Sequence, residues 1–146
     1  MTLALWTARI LALAGFLDAA WLTANHYAGE ALTCGPGGGC EVVLTSEWAT
    51  VGVIPTAAIG LAYYVAATLI AWTPRESWNR GIAILFAGLE GVALVVSGAL
   101  VWIQATRIHS WCRFCLFSAL VTLGLFVCAI ALLRAFPRES RQVPPG

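Results

Sequence analysis

Four of the five cysteines form two closely spaced pairs, and thiols are the side chains here best suited to redox chemistry. Cys34 and Cys40 bound the segment CGPGGGC, where only four glycines and a proline separate them. Glycine leaves the backbone free to adopt many conformations, including positive φ. The two sulfurs can therefore approach each other or move apart. This spacing suits a structural disulfide, a pair of metal ligands, or a redox pair that must move.

The second pair, Cys112 and Cys115, lies in HSWCRFCLFS. Ser110 is a predicted N-cap, which places Cys112 in the first turn of a helix. Helix N-termini and a neighbouring cation such as Arg113 favour the thiolate, and CxxC cysteines in this position exchange disulfides readily. Haem attachment through C-x-x-C-H is excluded, because Leu116 stands where the histidine is required.

A redox relay, a static clip and a metal site remain alternatives for these four cysteines. Two cysteine pairs are sufficient for a four-thiolate zinc site. The glycine-rich spacer favours the relay, because thiol–disulfide exchange requires one sulfur to reach another. The fifth cysteine, Cys128, follows Cys115 by 13 residues. It is predicted to be a small buried apolar residue about 20 Å deeper along the same helix.

The elements that must position these cysteines are long and apolar. The chain has 146 residues, of which 60% are hydrophobic and 10% charged, whereas a soluble domain is about a quarter charged. Each apolar stretch approaches the roughly 20 residues needed to cross a bilayer as a helix. The predicted fold is an all-α, four-transmembrane-helix bundle over residues 1–136, with a disordered tail at 137–146. The stretches are Trp6–Tyr27, Ile54–Trp72, Ile82–Thr106 and Trp111–Phe136.

The first stretch is predicted to be a retained helix rather than a cleaved signal peptide, since it is long and contains Asp18. The arginines then predict the orientation. With four crossings, most of them fall on the side that holds both termini and the 73–81 loop. The positive-inside rule places that side in the cytoplasm and both cysteine pairs outside. The net charge of +1, without a basic stripe, does not indicate nucleic-acid binding.

The segment CEVVLTSEWATVG predicts a short amphipathic helix in the first outer loop. Val43, Leu44, Trp48 and Val51 recur at helical spacing. Such a helix would cover the mouth of the bundle, carry Cys40, and point the Ser46 hydroxyl at a buried carbonyl.

A lipid-soluble quinone is the predicted electron acceptor. The chain contains no nucleotide-binding glycine motif. Aromatic side chains flank Cys115 in sequence, and such surroundings suit a flat apolar ring with polar carbonyls. These are Trp111, Phe114 and Phe117. For Trp111 alone, a position in the interfacial aromatic belt is the better interpretation.

The order and spacing of these residues resemble the vitamin K epoxide reductase family over nearly the whole chain. The shared pattern is a loop cysteine pair, a Ser or Thr six residues after its second member, and a CxxC at the outer end of the last helix. In this chain it comprises Cys34, Cys40, Ser46, Cys112 and Cys115. Members of that family are four-helix membrane thiol oxidoreductases that use quinones. Bacterial DsbB, another quinone-coupled thiol oxidase, has the two kinds of cysteine pair in the reverse order.

The resemblance implies a role for each residue. Cys115 meets the quinone, of menaquinone, ubiquinone or vitamin K type, and Cys112 receives electrons from the loop pair. Cys34 and Cys40 exchange with a thioredoxin-like protein on the outer side. Ser46, Trp48 and Phe114 complete the predicted quinone site, without a metal.

The same resemblance favours a prokaryotic disulfide-generating enzyme over an epoxide reductase. Animal members have an Asn near the start of the second helix and a Tyr soon after the CxxC. This chain has Thr56 and Ala119 there. Many prokaryotic relatives also carry a fused thioredoxin-like domain, for which this chain is too short, so the partner is expected to be a separate protein or a domain that has been removed. Epoxide reduction and a non-enzymatic metal-binding or structural role remain the alternatives.

Two acidic residues, Asp18 and Glu90, fall inside the first and third apolar stretches. Ionisable groups in such positions are costly and invite a functional hypothesis. Proton delivery to the quinone is one interpretation. A hydrogen-bonded structural role is the favoured one, because nothing in the sequence ties either residue to the cysteines.

Overall fold

The computed structural model describes residues 1–29 and 39–136. Cys34 and the predicted tail at 137–146 lie outside the described residues. Helices account for most of the described chain. They are α1 (Thr2–Ala28), α2 (Cys40–Leu44), α3 (Thr56–Ala71), α4 (Arg80–Ile103) and α5 (Arg113–Ala135). Two 3₁₀ turns (Glu47–Ala49 and Arg75–Ser77), a π-helical turn (Gln104–Ile108), and the strands β1 (Thr50–Val51) and β2 (Ile54–Pro55) connect them.

Three helices are long and apolar enough to cross a membrane. These are α1, α5, and α4 extended by the π-turn to Ile108, with mean hydropathies of 1.5 to 2.6. These helices support three of the four membrane-spanning helices of the predicted all-α bundle. The fourth predicted stretch forms α3, which has only 16 residues. At 1.5 Å per residue it is about 24 Å long, slightly less than the hydrocarbon core of a bilayer.

The helices are arranged so that one side of the bundle is only loosely closed. Helix α1 packs extensively against α3 and α5, and α5 packs extensively against α4. Contacts between α3 and α4 are far fewer. The bundle therefore leaves a space between these two helices, and the candidate site lies beside it.

Two arginines tie helix ends together at one end of the bundle. Arg9, near the start of α1, donates to the carbonyl oxygens of Ala71 (2.9 Å) and Thr73 (3.2 Å) at the end of α3. Arg80, at the start of α4, donates to the Phe136 carbonyl at the end of α5. The structure thus brings together the ends that the arginine pattern places on one side of the membrane.

The sequence predicted one short amphipathic helix in the first loop, and this prediction is wrong in one respect, because the helix is interrupted. Helix α2 ends at Leu44 and a separate 3₁₀ turn begins at Glu47. The Thr45 and Ser46 hydroxyls donate to the carbonyls of Glu41 and Val43, each at 2.7 Å. Ser and Thr side chains that bond to nearby backbone compete with continued helix in this way.

The predicted end of this helix is also replaced by another structure. Gly52 adopts a left-handed conformation, with φ of 65°, between the paired strands β1 and β2. This turn returns the chain to Pro55, and α3 begins at the next residue. The start of α3 therefore agrees with the predicted start of the second helix to within two residues.

Gly15 of α1 allows the buried side chain of Tyr64 to pack directly against the α1 backbone. A Cβ atom at position 15 would lie 2.1 Å from Tyr64 Cε1, and Tyr64 is only 1% exposed. Gly15→Ala is therefore expected to destabilise the protein by about 1–3 kcal/mol, as overpacked cores do. Thermal unfolding in detergent measures this. Gly88→Ala is the control, because its methyl group would meet nothing within 4 Å in the part of the chain that the structure describes. An equal or higher Tm for Gly15→Ala would contradict the packing argument.

Candidate functional site

Cys40 and Cys112, one from each cysteine pair, are buried together. Both are 0% exposed, and with Val43 they form a small apolar cluster separate from the main core. The side chains packed around it include Ile108, Phe114 and Cys115. Cys40 is disulfide-bonded, whereas Cys112, Cys115 and Cys128 are free thiols. The loop carrying the first pair and the start of α5 therefore meet at one end of the bundle.

This meeting depends on the absence of a side chain at Gly39. A Cβ atom there would lie 2.6 Å from Ser110 Cβ and 3.2 Å from the Trp111 backbone nitrogen. The backbone at Gly39, with φ of −84°, is open to any residue. Close approach, rather than unusual backbone geometry, therefore requires glycine at this position.

Helix α5 begins differently from the sequence prediction. The N-cap is Cys112 rather than Ser110, and its sulfur accepts a hydrogen bond from the Cys115 backbone N–H at 3.4 Å. The preceding His109 has a left-handed backbone, with φ of 52°. The π-turn ends there, residues 110–112 are not helical, and α5 begins only at Arg113. The Cys112 sulfur occupies the position of a capping oxygen.

The surroundings of Cys112 stabilise its thiolate. A hydrogen bond from the Cys115 side chain is the largest influence, and it lowers the pKa of Cys112 from 9.0 to about 7, with help from the backbone N–H groups of Cys115 and Phe114. Burial opposes the shift but does not cancel it. Cys112 is thus poised to act as a nucleophile near neutral pH.

The pH dependence of Cys112 reactivity tests this arrangement. Because the pKa is lowered, alkylation of Cys112 in reduced protein should rise with pH about a midpoint near 7. In Cys115→Ala the midpoint should move upward, since the largest stabilising hydrogen bond is lost. In Cys115→Ser, which keeps a donor, it should stay low. Site-resolved mass spectrometry of iodoacetamide-treated protein measures each midpoint, and identical midpoints in the two variants would contradict the account.

Gln104 is a component of the site that sequence reasoning missed. It lies in the π-helical turn, is only 3% exposed, and its Oε1 accepts a hydrogen bond from the Cys112 backbone N–H at 3.0 Å. Short π-helical turns often occur at functional sites. The sequence feature that could have identified Gln104 is its polar side chain at the end of a long apolar stretch. Gln104 fixes the backbone of Cys112 relative to α4.

A cavity of about 800 Å³ lies beside the cysteines, in the space between α3 and α4. Cys115, Ser46 and Trp48 line it, as do Thr56 and Ala119. Its walls are predominantly apolar, and its volume is within the usual range for small-molecule sites. Among the predicted quinone-contacting residues, Phe114 is placed elsewhere: it packs against the Cys40–Cys112 cluster.

Two of the lining residues form hydrogen bonds that hold the loop. The single hydroxyl hydrogen of Ser46 is donated to the Val43 carbonyl at 2.7 Å, so it is not directed at the cavity. The Thr56 hydroxyl donates to the Trp48 carbonyl at 3.0 Å. Thr56 thereby ties the start of α3 to the loop that covers the cavity.

Polar side chains line the part of the cavity below Cys115. The Tyr64 hydroxyl lies 2.9 Å from Ser118 Oγ and 3.2 Å from Thr122 Oγ1, on the helix that carries Cys115. Tyr63 donates to Oε2 of Glu90 at 2.5 Å. Glu90 is 0% exposed, so the structure connects it to the cavity through Tyr63, a link that the sequence did not reveal.

Asp18 is placed differently from Glu90. Its Oδ2 atom is buried without a hydrogen-bond partner in the described part of the chain.

Within residues 1–29 and 39–136, no three His, Cys, Asp or Glu side chains are grouped as a metal site would require. Cys34, which the four-thiolate alternative needs, is outside those ranges.

Two comparisons with known proteins identify the family of this chain. The model of the vitamin K epoxide reductase family matches residues 6–130. The chain is also 31% identical over 136 residues to the thiol-disulfide oxidoreductase LTO1 of Arabidopsis thaliana. That match covers 87% of this chain and 35% of the relative, so the chain spans about a third of the relative's length. The family match covers most of the chain and all three free cysteines: this integral membrane protein belongs to the vitamin K epoxide reductase family.

Proposed function

We propose that the protein is a membrane thiol–disulfide oxidoreductase that passes electrons from an external dithiol to a quinone. The observation that carries the proposal is the position of the two pairs relative to the cavity. Cys40 and Cys112 are buried in one small cluster, and Cys115 lines an apolar cavity of about 800 Å³. Electrons entering at the loop pair would thus have a short route to a ligand in that cavity.

The proposed reaction proceeds in three exchanges. A thioredoxin-like dithiol reduces the Cys34–Cys40 disulfide and leaves as a disulfide. The reduced loop pair then attacks the Cys112–Cys115 disulfide at Cys112, which reduces that pair and reforms the Cys34–Cys40 bond. Oxidation of Cys112 and Cys115 transfers two electrons to the quinone, giving hydroquinone.

The positions of Cys112 and Cys115 support separate roles for them, in thiol exchange and in quinone reduction. Cys112 is buried beside Cys40 and its pKa is lowered to about 7, which suits the thiolate that leaves and attacks during exchange. Cys115 lines the cavity, which suits the thiol that faces the quinone. The burial of Cys40 in the same cluster as Cys112 also favours Cys40 as the loop cysteine that exchanges with the inner pair.

The lining of the cavity favours a quinone over an epoxide substrate. Thr56 and Ala119 occupy the positions where animal members of the family have Asn and Tyr, and both line the cavity. Thr56 uses its hydroxyl hydrogen on Trp48, and Ala119 has no polar group. Ser46 and Trp48 form the loop side of this proposed quinone site, and Phe114 supports it from behind Cys112.

In the membrane, we place four crossings with both termini in the cytoplasm and the cysteine pairs outside. The arginines at the Arg9–Arg80 end of the bundle support this orientation. Helices α3 and α4 line the cavity and make few contacts with each other, and α3 is short. A lipid-soluble quinone could therefore enter laterally between them. The thiol partner is a separate thioredoxin-like protein or a domain that this chain does not include.

Steady-state quinone reduction by purified protein in detergent tests the proposal. A thioredoxin-like dithiol serves as donor, and menadione or decyl-ubiquinone as acceptor. Hydroquinone should form catalytically with wild type and stop when both Cys34 and Cys40 are replaced by serine. Well-folded protein that reduces neither quinone, with several dithiol donors, would overturn the enzyme proposal.

A further inference from the structure

Glu90 is a buried ionisable group to which the proposed electron route assigns no role. It is 0% exposed on α4, and its Oε1 has no hydrogen-bond partner in the described part of the chain. Its one hydrogen bond there joins Oε2 to the Tyr63 hydroxyl. A lone carboxylate in apolar surroundings is strongly disfavoured unless it is paired. Burial therefore favours the neutral carboxylic acid form of Glu90, which can donate a proton.

Tyr63 connects this acid to the cavity. The tyrosine lines the cavity, as do Cys115 and Tyr64, while Glu90 lies behind it. A phenol has one hydrogen to donate and can accept another. A neutral Glu90 can donate to the Tyr63 oxygen, which frees the phenolic hydrogen for a carbonyl bound in the cavity.

The reaction needs a proton that the cysteine pair does not bring. Hydroquinone formation consumes two electrons and two protons. Cys112 reacts as a thiolate, so oxidation of Cys112 and Cys115 to the disulfide supplies two electrons but only the one proton of the Cys115 thiol. One further proton per turnover must come from another acid at the cavity.

On the basis of the proposed quinone reduction, we propose that Glu90 supplies this second proton, relayed through Tyr63. As electrons reach the quinone, the Tyr63 O–H bond breaks and its proton goes to a quinone oxygen. At the same time the Glu90 carboxyl proton moves to the Tyr63 oxygen. After hydroquinone leaves, water entering the cavity returns a proton to Glu90 by the same path. Glu90 is thus a positioning and proton-storing residue, and Tyr63 a catalytic one.

Neighbouring hydroxyls surround this relay. The rings of Tyr63 and Tyr64 lie 4.6 Å apart, centroid to centroid, and Tyr64 is held by Ser118 and Thr122. These contacts restrict where the Tyr63 ring can move. The relay therefore keeps its geometry while the cavity fills and empties.

Kinetics of Tyr63→Phe, Glu90→Gln and the double variant test the relay. Glu90→Gln replaces the acid with a non-acidic amide of similar size, and Tyr63→Phe removes the phenolic hydroxyl with little change in ring shape. Each single variant is expected to lower the maximal rate of menadione reduction about 100-fold, the usual contribution of a positioned acid. The KM for menadione should stay within about twofold of wild type. The double variant should be no slower than the slower single one, because both residues act on one path.

Thr68→Val is the matched control. Thr68 also lies on α3, and its buried hydroxyl has no hydrogen-bond partner among the described residues. It does not line the cavity, so the rate of the variant should equal that of wild type. Thermal unfolding confirms that each variant is folded, and a Glu90→Asp variant should recover part of the rate. Near-wild-type rates in Tyr63→Phe and Glu90→Gln would overturn the relay, as would a raised KM with an unchanged maximal rate. An inactive wild type would instead overturn the proposed function.

Discussion

Replacing Cys115 with alanine is expected to reduce quinone reduction by more than about 1000-fold. Loss of a covalent or electron-transferring thiol removes the reaction itself rather than a supporting contact. Cys112, now without a resolving partner, should attack the loop disulfide and remain bonded to Cys40. A Cys40–Cys112 mixed disulfide should therefore become the major species in oxidised protein.

Peptide mapping by mass spectrometry under non-reducing conditions identifies the bond that forms. The matched control is Cys128→Ala, because Cys128 packs in the main core far from the cluster and is expected to retain wild-type quinone reduction. A Cys34–Cys112 bond in place of Cys40–Cys112 would contradict the assignment of Cys40 as the exchanging residue. Substantial quinone reduction by Cys115→Ala would contradict the role of Cys115.

Replacing Gly39 with alanine is expected to slow exchange between the two cysteine pairs by about 10- to 100-fold. The added methyl group would lie 2.6 Å from Ser110 Cβ, so the start of α2 must move away from the segment leading to Cys112. Displacements of about 1 Å between reacting groups can cost up to about 100-fold in rate. Stopped-flow mixing of reduced partner with oxidised protein, with site-resolved alkylation, measures the exchange.

The defect in Gly39→Ala should be confined to this step. Quinone reduction driven by dithiothreitol, which is small enough to reduce Cys112–Cys115 directly, should remain near wild type. Gly98→Ala should be normal in both assays, because its methyl group would meet nothing within 4 Å among residues 1–29 and 39–136. Normal exchange in Gly39→Ala would show that the close contact with Ser110 is unimportant.

Sequence patterns predicted the parts of this molecule that depend on composition and local spacing. The lengths of the apolar stretches anticipated α1, α4 and α5 because a bilayer demands about 20 apolar residues. The spacing of Cys112 and Cys115 anticipated a thiolate at a helix start. The prediction that both pairs lie on one side of the membrane is consistent with the shared cluster of Cys40 and Cys112, and the side itself stays a prediction.

Features that depend on tertiary contacts could not be predicted in the same way. The glycine at position 39 suggested a hinge, whereas its structural requirement is close approach to Ser110. The hydrogen bond between Tyr63 and Glu90 joins two residues that are 27 positions apart and lie on different helices. No local sequence pattern encodes it. The non-helical path from His109 to Cys112, which makes Cys112 the N-cap of α5, is a backbone feature that residue types alone did not indicate.

The central claim is that Cys112 and Cys115 reduce the quinone directly, and a single-turnover measurement tests it most directly. Fully reduced protein is mixed anaerobically with menadione, without any thiol donor, in a Cys34→Ser/Cys40→Ser background that removes the loop pair. The account predicts one hydroquinone per protein, together with a Cys112–Cys115 disulfide found by mass spectrometry. Hydroquinone without that disulfide, or the disulfide without hydroquinone, would contradict it.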